Sequence, residues 1–218
     1  MTTVTIIGAG NMGRGIGTRL VSGGHDVQIL APTPEHASSL AQELGGQNGA
    51  AARGGAIGEQ IEGEVVILAT PFDAAMEFAQ SRGNDLTGRV VVDITNPVDF
   101  QTFDGLVVPP DSSAAEEIAK QLPAGVPVVK AFNTTFAGTL TAGKVADQSL
   151  DVLVAGDDEG AKTAVATLVE SSGMRPIDAG PLRRAQQLEH LGFLHMALQN
   201  NLGTGFGSAV KFVTPGEN

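Results

Sequence analysis

Six residues near the start of the chain, Gly8-Ala9-Gly10-Asn11-Met12-Gly13, have the types and spacing of G-x-G-x-x-G. The chemistry open to such a turn is anion binding by the backbone. Gly8 permits a tight strand-to-helix turn, Gly10 has no Cβ to hold a pyrophosphate away, and Gly13 lets the helix pack closely on the strand. A helix opening at Asn11 aims unpaired N–H groups and the positive end of its dipole at the phosphates. The hexapeptide alone is a weak signal. Here the apolar run Val4-Thr5-Ile6-Ile7 leads straight into it, a helical pattern covers residues 11 to 22, and Gly23-Gly24-His25 closes that helix before a second apolar run. This is the strand–turn–helix setting in which the motif binds dinucleotides, so all six residues are candidate cofactor ligands.

The second run, Asp26-Val27-Gln28-Ile29-Leu30, ends at Ala31-Pro32-Thr33. An Asp or Glu at this place would bind the ribose hydroxyls of NAD. None is present, so a 2′-phosphate is not repelled, and Ala31, Thr33 and His36 are the groups at hand. NADP(H) is the expected form. Three later runs end in groups that could meet a ligand: Ala69-Thr70-Pro71, Asn96-Pro97, and Asn133-Thr134 with Phe136. Open α/β sheets bind ligands beyond the carboxyl ends of their strands. Ala69, Thr70, Pro71 and Asn96 therefore join the cofactor set. Asn96, Pro97, Asn133, Thr134 and Phe136 are expected to wall the place of a flat hydride acceptor. Asn133 is assigned the catalytic role of orienting a ring or the nicotinamide amide, without exchanging protons.

Other polar residues read more plainly. Lys130 lies in a predicted strand, where pairing or snorkelling suits it better than general acid catalysis. His190 and His195 are five apart, the wrong spacing for a helical metal pair. His195 interrupts the apolar stripe Leu188, Leu191, Leu198 and Leu202 and reads as a histidine in a packed or subunit seam. Asp157-Asp158 reads as a helix cap. No metal site is expected.

Positioning these groups requires alternating strands and helices. Apolar runs at 65–69, 90–94, 126–132, 151–155 and 175–178 read as buried strands, and a short one is expected within 45–58. Thr33-Pro34 and Thr70-Pro71 open helices as N-cap and first residue, Ser113-Ala114-Ala115-Glu116 is a capping box, and Pro181 begins a last helix. The pattern predicts an α/β fold, a doubly wound and mostly parallel sheet of the Rossmann type. One domain is expected over residues 1–213, with a small C-terminal α/β part from about 150, and a frayed tail at 214–218.

Composition narrows the function further. The 218 residues carry a formal charge of −11 and no clustered basic patch, which excludes nucleic acid as a natural partner. Cysteine is absent, so disulfides, thiolate metal sites and cysteine nucleophiles are ruled out. No apolar stretch approaches the ~20 residues that span a bilayer, and the N-terminus lacks the pattern of a signal peptide. A cytoplasmic location is expected.

The chain resembles the coenzyme F420-dependent NADP oxidoreductase family over nearly its whole length. The likeness rests on Gly8-Ala9-Gly10-Asn11-Met12-Gly13, Ala69-Thr70-Pro71-Phe72, Ser112-Ser113-Ala114-Ala115-Glu116, Val129-Lys130-Ala131-Phe132-Asn133-Thr134 and Gly156-Asp157-Asp158. It rests most specifically on Arg175-Pro176-Ile177-Asp178-Ala179-Gly180-Pro181-Leu182 with Glu189 beyond. It implies a Rossmann domain with a small C-terminal part, a homodimer, and hydride transfer between NADP(H) and a deazaflavin. The cytosolic domains of STEAP metalloreductases look similar and serve a flavin. The chain departs from the family by having Ala31-Pro32-Thr33 where Ser-Arg or Arg-Arg is usual after the second strand. Asn133 stands where the F420 enzymes carry His, as in the metalloreductase-type relatives. The expected acceptor is F420 or a flavin; the other reading is a sensor that binds NADP(H) without turnover.

Overall fold

The computed structural model describes residues 1–46 and 48–215. Its centre is an eight-stranded sheet. In chain order the strands are β1 (Thr3–Ile7), β2 (Asp26–Ala31), β3 (Ala52–Ala56), β4 (Val65–Leu68), β5 (Val90–Asp93), β6 (Val128–Lys130), β9 (Asp151–Gly156) and β10 (Arg175–Gly180). A two-strand hairpin, β7 (Lys144–Val145) with β8 (Gln148–Ser149), lies apart. The sheet order is β10-β9-β6-β5-β4-β1-β2-β3. Every pairing in it is parallel except β6 with β9. The sequence is carried on from β1 to β2 and β3 on one side and from β4 on the other. The strand order therefore reverses beside β1, where the glycine motif begins.

Strands buried on both faces should read as apolar runs; β4 does throughout and β5 as far as Asp93, while β1 is interrupted by Thr5, whose hydroxyl bonds Gln28. One face is covered by α1 (Asn11–Ser22), α2 (Pro34–Leu44), α5 (Ala137–Ala142) and α6 (Glu159–Ser171), through Ile16, Leu20, Leu40, Leu140 and Val165. The other face carries α3 (Phe72–Arg82), α4 (Ala114–Ala119) and α7 (Ala185–Ala197), through Phe78, Ile118 and Ala185. A short helix, α8 (Gln199–Leu202), follows α7. The mostly parallel sheet with helices on both faces is the predicted architecture, and the hidden strand within 45–58 is β3.

Several boundaries differ from the sequence reading for physical reasons. The sixth strand is Val128–Lys130, shorter than 126–132. Pro127 has no N–H to give to a ladder, and Phe132 turns the chain out of the sheet at φ 63°. Pro71, not Thr70, is the N-cap of α3, because its carbonyl accepts from Ala75 N at 3.0 Å. Beyond Pro181 the chain first makes a 3₁₀ turn, Leu182–Arg184, and α7 starts at Ala185. The caps at Ser113 and Asp158 form: Ser113 Oγ accepts from Glu116 N, and Asp158 Oδ1 from Ala161 N; the Glu116 carboxylate accepts from Ser113 Oγ rather than from the Ser113 backbone, so the expected capping box is only half made. In the expected tail, Thr214 and Pro215 lie outside helix and strand; residues 216–218 lie outside the described residues. Just before it, Lys211 Nζ and Phe212 N bind the two oxygens of buried Asp151 at 2.6 and 2.8 Å.

Candidate cofactor and acceptor cleft

Each glycine of the motif meets a different demand. Gly8 sits at φ +118°, and a Cβ there would lie 2.4 Å from Ala69 O. A Cβ on Gly13 would lie 2.4 Å from Gly8 O. Both glycines serve the turn itself. Gly10 is different: a Cβ would meet nothing within 4 Å. Protein packing does not ask for glycine at that position, whereas a phosphate approaching the backbone would. Gly10 is also the N-cap of α1, with no side chain to bond the first turn's N–H groups. A dinucleotide pyrophosphate fits both features.

A cleft of about 490 Å³ runs from Gly10, Asn11 and Met12 across the carboxyl ends of β4, β5 and β6. Its wall includes Ala69, Thr70, Pro71, Asn96, Pro97, Asn133 and Phe136, so most of the predicted residues share one cavity. Thr134 does not line it. It is buried, its carbonyl 3.2 Å from His195 Nδ1, and Thr135 takes the wall position instead. Ala31, Thr33 and His36 also lie outside this cleft, at the end of β2 and the start of α2. Ala31 is buried, Thr33 and His36 are exposed, and the Thr33 hydroxyl makes no cap bond. Three residues of the cleft wall hold buried side-chain atoms without a protein partner: Thr70 Oγ1, Thr95 Oγ1 and Asn133 Oδ1. Buried polar atoms are normally satisfied; three of the six such atoms among the described residues belong to this cleft wall, which fits a ligand site.

Asn133 is held from two directions. Its Nδ2 donates to Asn96 Oδ1 at 2.9 Å and to Leu188 O on α7 at 2.8 Å. Asn96 Nδ2 in turn donates to Asn133 O at 2.7 Å. The approach of α7 that permits this depends on Gly192, where a Cβ would sit 2.6 Å from Asn96 Oδ1.

Beneath the cleft lies an ionic cluster. Lys130, fully buried, places Nζ 2.7 Å from Asp93 Oδ2 and 2.7 Å from Glu189 Oε1, and also donates to Thr95 O. Glu189 further accepts from Ala114 N at 3.0 Å and Ala115 N at 3.4 Å, the first turn of α4. Burial pushes the Glu189 carboxyl above the ordinary carboxylate range; Lys130 opposes the shift and Asp93 adds to it. Lys130 thus pairs, as its strand position suggested, and is not free to act as an acid in the cleft. The cluster as a unit escaped the sequence reading. Its signal was present in part, since parallel pairing of β5 and β6 sets Asp93 opposite Lys130.

His195 is a packed residue. Its ring stacks on Phe136 with centroids 4.2 Å apart, and Nε2 lies 2.8 Å from Ser208 Oγ. Burial lowers its pKa from the ordinary 6.5. The Phe136 ring meets Phe206 edge-on at 5.1 Å, and Phe206 lines the cleft. Sequence reasoning missed Phe206; the signal was the isolated aromatic in Gly203-Thr204-Gly205-Phe206-Gly207. The stripe is divided: Leu188 and His195 turn inward, Leu191 is half-buried, and Leu198 and Leu202 are exposed, as is Leu194 outside the stripe. Among the described residues no acidic, histidine or cysteine cluster could hold a metal, and no helix is long and apolar enough to cross a membrane.

The reversal of strand order, the glycine turn at it and the cleft beyond the strand ends define a dinucleotide-binding protein of the Rossmann type. The family model described as NADP oxidoreductase, coenzyme F420-dependent, matches residues 3–97. The chain is 32% identical over 203 residues to an F420-dependent NADP reductase of Methanothermobacter marburgensis, covering 88% of this chain and 89% of that one. It is 31% identical over 186 residues to the metalloreductase STEAP3 of Rattus norvegicus, covering 85% of this chain but only 35% of that much longer protein. A solved structure of a candidate F420-dependent NADP-reductase from Arthrobacter sp. FB24 matches with a TM-score of 0.81 at 27% identity, over 98% of this chain and all of that one. The chain belongs to the F420-dependent family of NADP oxidoreductases.

Proposed function

We propose that the chain transfers hydride between NADP(H) and a flat-ring acceptor, a deazaflavin of the F420 kind or a flavin, in the cleft at the carboxyl edge of the sheet. The observation that carries the reading is the joining of two halves in one cavity. The glycine turn, with open space at Gly10, adjoins a wall whose Thr70, Thr95 and Asn133 each hold a buried side-chain oxygen without a protein partner. The family of the chain supports the same reading.

When bound, NADP(H) supplies or takes up the hydride. The chain's part is binding and orientation, which transfer between two rings needs more than acid–base groups. Gly10 and the first turn of α1 would hold the pyrophosphate. Ala31, Thr33 and His36 would meet the adenosine end; no carboxylate ends β2, and Glu35 is the acidic residue in the first turn of α2 beside them. Thr70 and Asn96 would face the nicotinamide side. Pro97, Asn133 and Phe136 would wall the acceptor, with Asn133 offering Oδ1 as an acceptor atom and moving no proton. The exposed Leu194, Leu198 and Leu202 on the last helices support a homodimer; a monomer mass by light scattering would remove that part. The reading goes with a cytoplasmic location.

NADPH oxidation measured side by side with F420, FMN, FAD and riboflavin tests the proposal. Acceleration by one of them is expected. If none accelerates oxidation while NADPH still binds, the chain is a sensor of NADP(H) and not a reductase.

A further inference from the structure

Beyond α8 the chain arches over the rim of the cleft. Thr204–Gly207 is a turn closed by Gly207 N, which donates to Thr204 O at 2.9 Å. Its two central residues, Gly205 and Phe206, both have positive φ, 55° and 64°. That is the pattern of a type I′ turn, whose ordinary occupants are glycine and asparagine. A bulky aromatic there is rare, and such a backbone persists only where its surroundings hold it. The turn sets the Phe206 ring on the cleft wall, edge-on to Phe136 and still 52% exposed. One side chain grips both feet of this arch. Gln199, 3% exposed, accepts from Thr204 Oγ1 at 2.8 Å through Oε1, and its Nε2 donates to Ser208 Oγ at 2.8 Å. A bond from Nε2 to His195 O at 2.7 Å fixes which way the amide faces. Past Ser208 the chain is held separately: Ala209 packs on the core, and Lys211 and Phe212 bind Asp151.

We propose that Gln199 is a positioning residue for the acceptor half of the cleft. It holds the arch so that the Phe206 ring packs on a bound flat ring and keeps water from it. The inference rests on the reading of the cleft as an acceptor site and adds a device built from the last residues of the fold. The exposed part of Phe206 is aromatic surface left for a second ring to pack against. Closing the site over the acceptor also protects a reduced ring from side reactions with solvent. A strained aromatic, half in solvent, does little for the fold itself; at the mouth of the cleft it has a use.

The chain has no tryptophan and no tyrosine, so Phe206→Trp places a single emitter at the apex of the arch. Acrylamide quenching of that indole is measured alone and combined with Gln199→Met, Thr204→Val or Thr204→Ser. Thr204→Val cuts one foot of the arch at an exposed residue, where the fold is not at risk, and Thr204→Ser keeps the hydroxyl. On the chain that retains Phe206, the same three substitutions are assayed for kcat and KM with FMN and with coenzyme F420, and for NADPH affinity. Gln199→Met should raise the quenching constant and lift the acceptor KM about ten-fold, the equivalent of two ordinary hydrogen bonds. Thr204→Val should move both in the same direction by less, Thr204→Ser should match the parent, and NADPH affinity should stay within a few-fold throughout. Equal quenching in all four proteins overturns the proposal. So does a loss of NADPH affinity equal to the rise in acceptor KM, which would make Gln199 part of the general scaffold. An indole freed by Gln199→Met and Thr204→Val, with neither acceptor reduced by the parent, keeps the arch and removes the reductase reading. Oxidation whose acceptor KM ignores all three substitutions removes the positioning role alone.

Discussion

The glycine turn and the β5–β6 edge face each other across one cleft and are built in opposite ways. The turn is local and made of backbone: six consecutive residues create it, and outside it Gly8 N donates to Leu30 O while a Cβ on Gly8 would meet Ala69 O. The edge is made of side chains brought from far apart. Asp93, Asn96, Lys130, Asn133 and Glu189 come from β5, β6, their outgoing loops and α7. Substitutions in the turn should therefore separate cleanly into loss of binding and loss of fold. Substitutions at the edge should mix stability with catalysis.

The largest effect is expected at the edge. Lys130→Met removes the cation between two buried carboxylates, and breaking a buried pair in this way costs about 3–5 kcal/mol. Chemical denaturation should show that loss at neutral pH, and less of it in acid, where Glu189, its pKa already raised, takes up a proton. An unchanged midpoint would mean that the cluster does not brace the edge.

Asn133→Ala comes next. It removes two hydrogen bonds and leaves Asn96 Oδ1 without its Asn133 donor, a loss of about 1–3 kcal/mol. It should also lower kcat/KM for the acceptor while leaving NADPH affinity within a few-fold, because the phosphate site is untouched. Equal losses for both reactants would place Asn133 in the general scaffold and blur the comparison.

A smaller effect follows from His195. Its pKa in the folded chain lies below 6.5 because burial disfavours the imidazolium. The native state binds fewer protons than the unfolded one, so this contribution to stability is present above pH 6.5 and is lost as pH falls through the folded-state pKa. His25, lowered first by burial and then by the N-terminal charge, acts in the same direction. Thermal midpoints should therefore decline in mild acid, and His195→Gln should reduce that slope without abolishing it. A slope identical to the parent's would assign the titration elsewhere.

The same contrast explains what the sequence made legible. The turn could be read from residues 4 to 22 alone, because its requirements are local: an apolar strand, three glycines and a helix. Strands β1, β4 and β5 stood out as apolar runs, and Asp158 and Ser113 as caps, for the same reason. Asn96, Asn133 and Phe136 could be assigned to one cleft because strand ends in a parallel sheet share an edge. The partners of Lys130 could not be assigned. Asp93 follows from strand pairing only once β5 and β6 are known to be neighbours, and Glu189 reaches the cluster only through the packing of α7. Thr134 was placed one residue off because alternation breaks where Phe132 adopts a positive φ.

Gly10 is kept for a ligand and Gly8 for the fold. Calorimetric titration of NADPH into Gly10→Val, with thermal midpoints for Gly10→Val and Gly8→Val beside the parent, tests it most directly. Gly10→Val should melt close to the parent yet give no heat of NADPH binding. Gly8→Val should lose stability outright, because its side chain meets Ala69 O at a backbone angle only glycine adopts readily. A Gly10→Val variant that titrates like the parent would contradict the assignment of the dinucleotide to this turn.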